Sequence, residues 1–140
     1  MKIIFDHQIF SAQVYGGISR YIYELARNLL TVDKQKVSIV APLYVNNYLK
    51  DSPTSLKVFG LPVPSIPRTG RIRSALSWTL SWPFIQILQP DILHQTYYSK
   101  KHIAPKNAKV ILTVHDMIHE FFPDQFSKSD NTSKFKAIAA

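Results

Sequence analysis

The sequence predicts an α/β fold in which helices cover both faces of an open parallel sheet. Short apolar runs alternate with stretches of helical periodicity along the 140 residues. This alternation is typical of βαβ units, in which each helix connects two parallel strands. Apolar residues make up 46% of the chain, which suffices for a core at this length. Polar side chains gather directly after the predicted strands, where ligands bind in open parallel sheets.

The first half of the chain carries the clearest helix. Apolar residues follow helical spacing over residues 18–29, at positions 18, 21, 22, 25, 26 and 29, and therefore share one face. The strands predicted in this half are residues 2–6, residues 37–41 ended by Pro42, and residues 56–59 ended by Gly60.

The second half alternates in the same way. Residues 61–67 contain three prolines, which favours an extended connector over a helix or a central strand. A helix is predicted over residues 71–88, bent or ended near Pro83. A fourth strand is predicted at residues 92–94. The last predictions are a fifth strand at residues 109–114, apolar and β-branched as in strands buried on both faces, and a helix over residues 132–140.

Composition and charge narrow the functional classes. The chain has no cysteine, which excludes disulfides and thiolate chemistry. Because it has neither a secretory leader nor an apolar stretch of about 20 residues, we expect a cytoplasmic protein. The net charge is +8, and the excess of basic residues falls between Lys50 and Lys109. Either an anionic partner approaches this part of the chain, or it forms a solvated basic face.

Three predicted strand ends carry side chains suited to binding. Four of the five histidines lie there. Because the carboxyl ends of parallel strands meet at one edge of the sheet, these groups are expected to line one cleft. They are Asp6, His7 and Gln8 after the first strand, His94, Gln95, Thr96, Tyr97 and Tyr98 after the fourth, and His115, Asp116 and His119 after the fifth.

Gly16 and Gly17 directly precede the clearest helix. Glycine allows a sharp turn and lets a ligand approach the backbone without a Cβ in the way. The first helical amides, those of Ile18, Ser19 and Arg20, lack intrahelical partners and lie at the positive end of the helix dipole, which together favour an anion site. A plain tight turn is the alternative. The GxGxxG dinucleotide motif is absent.

His115 is a further candidate for a binding residue, because it directly follows the fifth predicted strand, whose end is expected to lie at the cleft. Its imidazole can donate to a sugar hydroxyl or a phosphate there, and the alternative is a buried histidine with its hydrogen bonds satisfied. Asp116 either orients His115 or caps the following turn. His115 and His119 also resemble a degenerate HExxH zinc motif. That motif needs both histidines on one helix, whereas His115 follows a strand and Pro123 limits any helix, so no metal is expected.

Three motifs, taken in order, resemble one family. Over about residues 1–125 the chain looks like the amino-terminal domain of family-four retaining glycosyltransferases of the GT-B fold. The motifs are Tyr15-Gly16-Gly17-Ile18-Ser19-Arg20-Tyr21 opening a helix, Pro90-Asp91-Ile92-Leu93-His94 before Tyr97-Tyr98, and Val114-His115-Asp116 with Pro123 beyond.

The resemblance implies a domain organisation and a set of roles. Residues 1–125 would form the Rossmann-like acceptor-side domain, and residues 126–140 a polar linker with the start of a truncated helix, with the donor-binding domain beyond. Gly16 and Gly17 would lie against the diphosphate of a nucleotide sugar, and His115 would be the catalytic-site residue that contacts the transferred sugar. No metal or other cofactor is implied. Candidates for the acceptor side of the cleft are His7, Arg20, His94, Tyr97, Tyr98 and Asp116.

Further expectations concern partners. The acceptor would be a glycan or a lipid-linked molecule, and these residues alone are expected to transfer no sugar and to self-associate through exposed apolar surface. No nucleic-acid motif occurs. A noncatalytic Rossmann-like module that binds a nucleotide or a polyanion is the alternative function. The predicted helix after the proline-rich connector has basic and apolar residues that suit contact with an anionic membrane. The alternative is a core helix with an exposed basic end. The residues concerned are Arg68, Arg71, Arg73, Leu76, Trp78, Leu80 and Trp82.

Overall fold

The computed structural model describes residues 1–32, 35–99 and 103–116. These ranges contain five strands and four helices. In chain order they are β1 (Lys2–Phe5), α1 (Gln8–Ala12), α2 (Gly17–Leu29), β2 (Lys36–Tyr44), α3 (Asn47–Lys50), β3 (Lys57–Pro62), α4 (Gly70–Leu88), β4 (Ile92–Gln95) and β5 (Lys109–Leu112).

All five described strands run parallel in the order β3-β2-β1-β4-β5. The chain moves outward from β1 through β2 to β3, then crosses back to place β4 on the other side of β1. The direction of winding therefore changes between β1 and β4, and a crevice opens beyond the carboxyl ends of these two strands. The predicted open parallel sheet is confirmed.

Alternating side chains of the strands build two cores. Ile3 and Phe5 point to the face covered by α2, where they pack with its buried Ile22 and Ala26. Ile4 points to the opposite face, where Leu93 of β4 and Ile85 of α4 complete a second core. This period of two is the reason that both faces of a parallel sheet need a helical cover, and it confirms helices on both faces.

The helix α4 buries an unusual set of residues. Its fully buried side chains are Ser77, Ser81 and Ile85, whereas six large apolar side chains point outward. We call these six the outer face of α4: Ile72, Leu76, Leu80, Trp82, Phe84 and Ile87. Small buried serines let the helix lie close to the sheet, and the apolar residues are left on the outside.

Two prolines lie inside elements because tertiary packing overrides local signals. The helix predicted over residues 71–88 is confirmed as α4, and of the two alternatives at Pro83 the earlier end does not occur, since Ser81 and Ile85 anchor the helix to the sheet on both sides of the proline. The second strand likewise runs through Pro42 to Tyr44. A register shift between Val40 and Leu43 accommodates Pro42 in the ladder with β3.

The third strand was also predicted too short, because it passes Gly60 and ends at Pro62. At Gly60 the neighbouring strand comes so close that a Cβ would lie 1.7 Å from the carbonyl oxygen of Ala41. Glycine is therefore required by the approach of β2 to β3, and it does not mark the end of a strand.

The remaining differences concern short or peripheral elements. Neither α1 nor α3 was predicted, because helices of five and four residues carry too little periodicity to detect. The strand β5 ends at Leu112 instead of residue 114, and it is not buried on both faces, since Val110 and Ile111 are 41% and 42% exposed. In the described sheet β5 is an edge strand, and its neighbour is β4. The helix predicted at residues 132–140 lies outside the described residues.

Candidate functional site

Asp6 joins the two strands that flank the crevice. Its buried carboxylate accepts from the Thr96 amide at 3.0 Å and from the Thr96 hydroxyl at 2.6 Å. It also accepts from the backbone amide of Gln8 at 3.2 Å and from the Gln8 side chain at 2.7 Å. We call this set of bonds the Asp6 clasp. It fixes the segment after β1 to the segment after β4.

His7 lies next to the clasp on the α4 side of the sheet. It is buried, and its Nδ1 lies 3.0 Å from the hydroxyl oxygen of Ser81. Burial lowers the pKa of His7 below that of an exposed imidazole, with the Asp6 carboxylate acting in the opposite direction. The ring is therefore neutral at pH 7.

A cavity of about 550 Å³ opens beside His7. We call it the α4 cavity, because α4 supplies most of its wall. The charged side chain in this lining is Arg71, and Trp78 supplies an aromatic surface. The lining residues are His7, Gln8, Gly70, Arg71, Ser74, Ala75, Trp78, Thr79 and Ser99. Its size is in the range of small-molecule sites in proteins.

His94 lies on the α2 side of the same crevice. Its ring stacks on Phe5 with 4.9 Å between centroids. Nδ1 lies 3.1 Å from the Gln95 carbonyl, which can only accept, so Nδ1 carries the proton. Burial lowers the pKa of His94, which keeps the ring neutral and leaves Nε2 to accept from the Thr113 hydroxyl at 3.3 Å. His94 is thus held on both nitrogens.

His115 reaches the start of α2. Its backbone amide donates to the Tyr98 hydroxyl at 3.1 Å, and its ring meets the Tyr21 ring edge-on at 5.5 Å between centroids. Burial lowers the pKa of His115, and the Asp116 carboxylate opposes this. Because Tyr21 belongs to the first turns of α2, the contact brings the end of the fifth strand next to the glycine loop.

The glycine loop differs from its prediction in two details. Neither Gly16 nor Gly17 lies in the left-handed region of φ, and Gly16 is extended at φ 172°, so the chain does not need glycine there for a sharp turn. A Cβ on Gly17 would meet no atom within 4 Å, which agrees with open access to the backbone. The amide of Arg20 is already bonded to the Gly16 carbonyl at 3.0 Å, and Ser19 is fully buried, so the accessible amides at the helix start are those of Gly17 and Ile18.

The electrostatics at the start of α2 favour an anion. The helix has no side-chain cap and no acidic residue in its first turn. The hydroxyl of Ser19 does not cap the helix start but donates to the Gly16 carbonyl at 3.1 Å. The positive end of the helix dipole is therefore not offset by a neighbouring carboxylate of that turn.

The comparison with family models bears on this arrangement. A model described as Glycosyltransferase Family 4 matches residues 15–138, a range that begins at the glycine loop and includes α2, all later described elements and His115. The chain belongs to glycosyltransferase family 4. It forms the amino-terminal, Rossmann-like domain of such an enzyme, as the three motifs predicted. Comparisons with curated proteins and with solved structures give no match.

This family 4 domain distributes the predicted site residues over two sides of the crevice. His94, Tyr98, His115 and the glycine loop gather near α2, whereas His7 faces α4. Arg20 and Tyr97 are exposed, and Tyr97 contacts Tyr98 with 5.0 Å between ring centroids. The predicted single cleft is therefore one crevice with two differently lined walls.

Several site residues of the family 4 domain were not singled out from the sequence. Tyr21 was assigned to the apolar face of its helix, and Trp78 and Arg71 were assigned to a membrane surface. Thr96 appeared only as one polar residue after a strand. Their contacts join residues far apart in the chain, which no local pattern reveals.

A metal site is a separate question. Within residues 1–32, 35–99 and 103–116, no group of three or more His, Cys, Asp or Glu side chains is arranged to hold a metal ion. His119, the second histidine of the zinc-like pattern, lies outside these ranges, so the expectation that the domain uses no metal stays a prediction.

Proposed function

We propose that this domain is the acceptor-side half of a retaining glycosyltransferase that moves a sugar from a nucleotide-sugar donor to a glycan or lipid-linked acceptor. The observation that carries the proposal is the crevice between β1 and β4, which has an open helix start on one wall and the α4 cavity on the other. The reaction is proposed to need no metal.

On the α2 wall, the amides of Gly17 and Ile18 are proposed to bind the donor diphosphate, with the buried Ser19 directly behind them. A helix start without a cap or an acid provides both donors and a positive potential. His115 is proposed to donate to the transferred sugar, since its ring lies beside this helix start. His94 and Tyr98 position the surrounding backbone through their bonds to residues of the fifth strand end.

On the α4 wall, the α4 cavity is proposed to receive the acceptor. Trp78 offers a flat surface on which a sugar ring can pack, and Gln8 and Ser74 offer hydrogen-bonding groups. Nδ1 of neutral His7 is already bonded to Ser81, so Nε2 is the nitrogen proposed to accept a hydrogen bond from an acceptor hydroxyl. Arg71 favours an acceptor that carries a negative charge.

The donor contact is tested by chemical-shift mapping of the 140-residue chain with UDP, GDP and ADP. We expect weak binding that moves the amide signals of Gly17, Ile18 and Ser19. Gly17→Glu should weaken it about fivefold or more, because it adds negative charge at the helix start without a steric clash. In separate samples that contain a nucleotide sugar and a glycan acceptor, the chain alone should show no sugar transfer.

Val32→Glu is the matched control, because it makes the same charge change at an exposed position just past the other end of α2. Equal weakening by both variants, or shifts that avoid the start of α2, would contradict the donor assignment. Nucleotide binding combined with an absence of transfer in a longer chain would favour the alternative, a noncatalytic nucleotide-binding module.

The outer face of α4 is proposed to rest on an anionic membrane, which would make the enzyme a peripheral cytoplasmic protein. Trp82 and Phe84 are aromatic residues of the kind found at membrane interfaces, and the helix contains no acid. Exposed Arg68 and Arg71 lie at its start. Arg73 is excluded, because its Nε donates to the Ser11 carbonyl at 2.8 Å. No described helix is both long and apolar enough to cross a bilayer.

Vesicle sedimentation tests the membrane proposal. We expect binding to vesicles with acidic lipid, and at least about thirtyfold weaker binding for the double variant Arg68→Glu, Arg71→Glu, since each of the two basic residues contributes about 1 kcal/mol near an anionic surface and the new carboxylates are repelled. Lys50→Glu with Lys106→Glu is the matched control at exposed positions elsewhere. Binding that is insensitive to acidic lipid, or lost equally in both variants, would end the proposal. Without lipid, the same face is proposed to drive self-association.

A further inference from the structure

A row of lysines marks the edge of the sheet opposite the crevice. The strands β1, β2 and β3 begin at Lys2, Lys36 and Lys57. Since these strands are parallel neighbours, their starts lie at one edge, with adjacent strands about 5 Å apart.

The register directs all three lysines to the same face. Lys2 pairs with Lys36, and Lys57 pairs with Ser38, two residues along β2. Side chains two residues apart share a face and paired residues share it too. Ile4 and Val40, which continue this set, pack in the core beneath α4. The lysines therefore lie on the α4 side.

A second cavity, of about 350 Å³, lies among them. We call it the lysine cavity. Two serine hydroxyls add hydrogen-bonding groups, and apolar side chains form the rest of its lining. The lining residues are Lys2, Leu30, Lys36, Val37, Ser38, Ser55, Lys57, Phe59 and Leu88. None of them is acidic.

Only one of the three lysine charges is explained by the negative carboxyl end of a neighbouring helix. The ammonium of Lys2 donates to the Leu88 carbonyl at 2.5 Å, where it offsets the negative end of α4. Within the part of the chain that the structure describes, Lys36 and Lys57 form no ion pair. The carboxyl ends of α2 and α4 contribute about half a negative charge each, and the Asp91 carboxylate lies at the same edge, where it accepts from the Lys2 backbone amide at 2.6 Å. The three lysine charges outweigh these negative groups together.

We propose that the lysine cavity binds a compact phosphate compound with at least two negative charges, such as a pyrophosphate or a phosphate ester. One lysine from each of three strands lines it, within reach of a small anion, and Ser38 and Ser55 can donate to the remaining oxygens. The site is separate from the donor and acceptor walls, because it lies at the amino ends of the strands and they lie at the carboxyl ends.

Sodium pyrophosphate is the probe, and amide shifts of Val37, Ser38 and Lys57 are the readout. We expect saturable binding that weakens as NaCl is raised. The double variant Lys36→Gln, Lys57→Gln should bind at least about tenfold more weakly. The control Lys50→Gln with Lys106→Gln removes the same charge from exposed positions elsewhere and should stay within about twofold of the unmodified chain.

Gly17→Glu separates this site from the proposed donor site. Pyrophosphate shifts at Ser38 should survive in that variant even where shifts at Gly17, Ile18 and Ser19 are lost. Loss of the Ser38 shifts in Gly17→Glu, or their persistence in the double lysine variant, would overturn the proposal. Binding of a poly-glutamate peptide without binding of pyrophosphate would overturn it as well, because the edge would then serve an acidic protein segment.

Discussion

Gly60→Ala should lower the free energy of unfolding by about 3 kcal/mol or more. The added Cβ would lie 1.7 Å from the Ala41 carbonyl oxygen and 2.5 Å from its carbon. These are backbone atoms of the adjacent strand, so no side chain can rotate away. The clash must separate β2 from β3 near the register shift, and equilibrium urea unfolding followed by circular dichroism measures the loss.

Gly70→Ala is the control for this prediction. Its new Cβ would come no closer than 3.8 Å to the Arg73 side chain, and alanine favours the helix that begins there. Stability should stay within about 1 kcal/mol of the unmodified chain or rise slightly. If both alanine variants unfold at similar urea concentrations, the close approach of β2 and β3 at Gly60 is wrong.

Asp6→Ala should cost roughly 3 to 4 kcal/mol of unfolding free energy, because it leaves buried donors without partners. The Thr96 amide and hydroxyl both lose their carboxylate acceptor, and so does the Gln8 amide. Asp6→Asn should cost about half as much. The side-chain oxygen of the introduced asparagine can accept the hydrogen bonds from the Thr96 amide, the Thr96 hydroxyl and the Gln8 amide. The Gln8 side chain can rotate so that its oxygen accepts from the NH₂ group of the asparagine.

Asp51→Asn is the matched control for the charge, since Asp51 is exposed. Urea unfolding should show a change of at most about 0.5 kcal/mol there. The expected order of unfolding free energy at position 6 is lowest for Asp6→Ala, intermediate for Asp6→Asn and highest for the unmodified chain. Equal losses for Asp6→Ala and Asp6→Asn would mean that the charge matters and the geometry of the clasp does not.

Much of the fold follows from local patterns. The helix α2 was predicted because its apolar residues repeat with helical spacing, and β1 and β4 because short apolar runs stand before polar residues. Each of these patterns extends over only a few neighbouring residues. Together with the order of strands and helices they suffice for a parallel sheet with covered faces.

Pro42 and Gly60 were misread for a common reason. Each is a local breaker, and each lies inside an element because a neighbouring strand holds the backbone there. For α4 the sequence left a membrane-facing surface and a core helix as alternatives, and only the structure shows that Leu76, Leu80 and Trp82 are exposed. In the candidate site, the glycine loop and His115 were found from motifs. Their proximity, which depends on Tyr21, required the tertiary structure.

The Asp6 clasp has a mechanical meaning for the crevice. Because one buried carboxylate ties the segment after β1 to the segment after β4, spreading these two segments apart would break several buried hydrogen bonds at once. The floor of the crevice is therefore preformed, and a bound molecule does not have to order it.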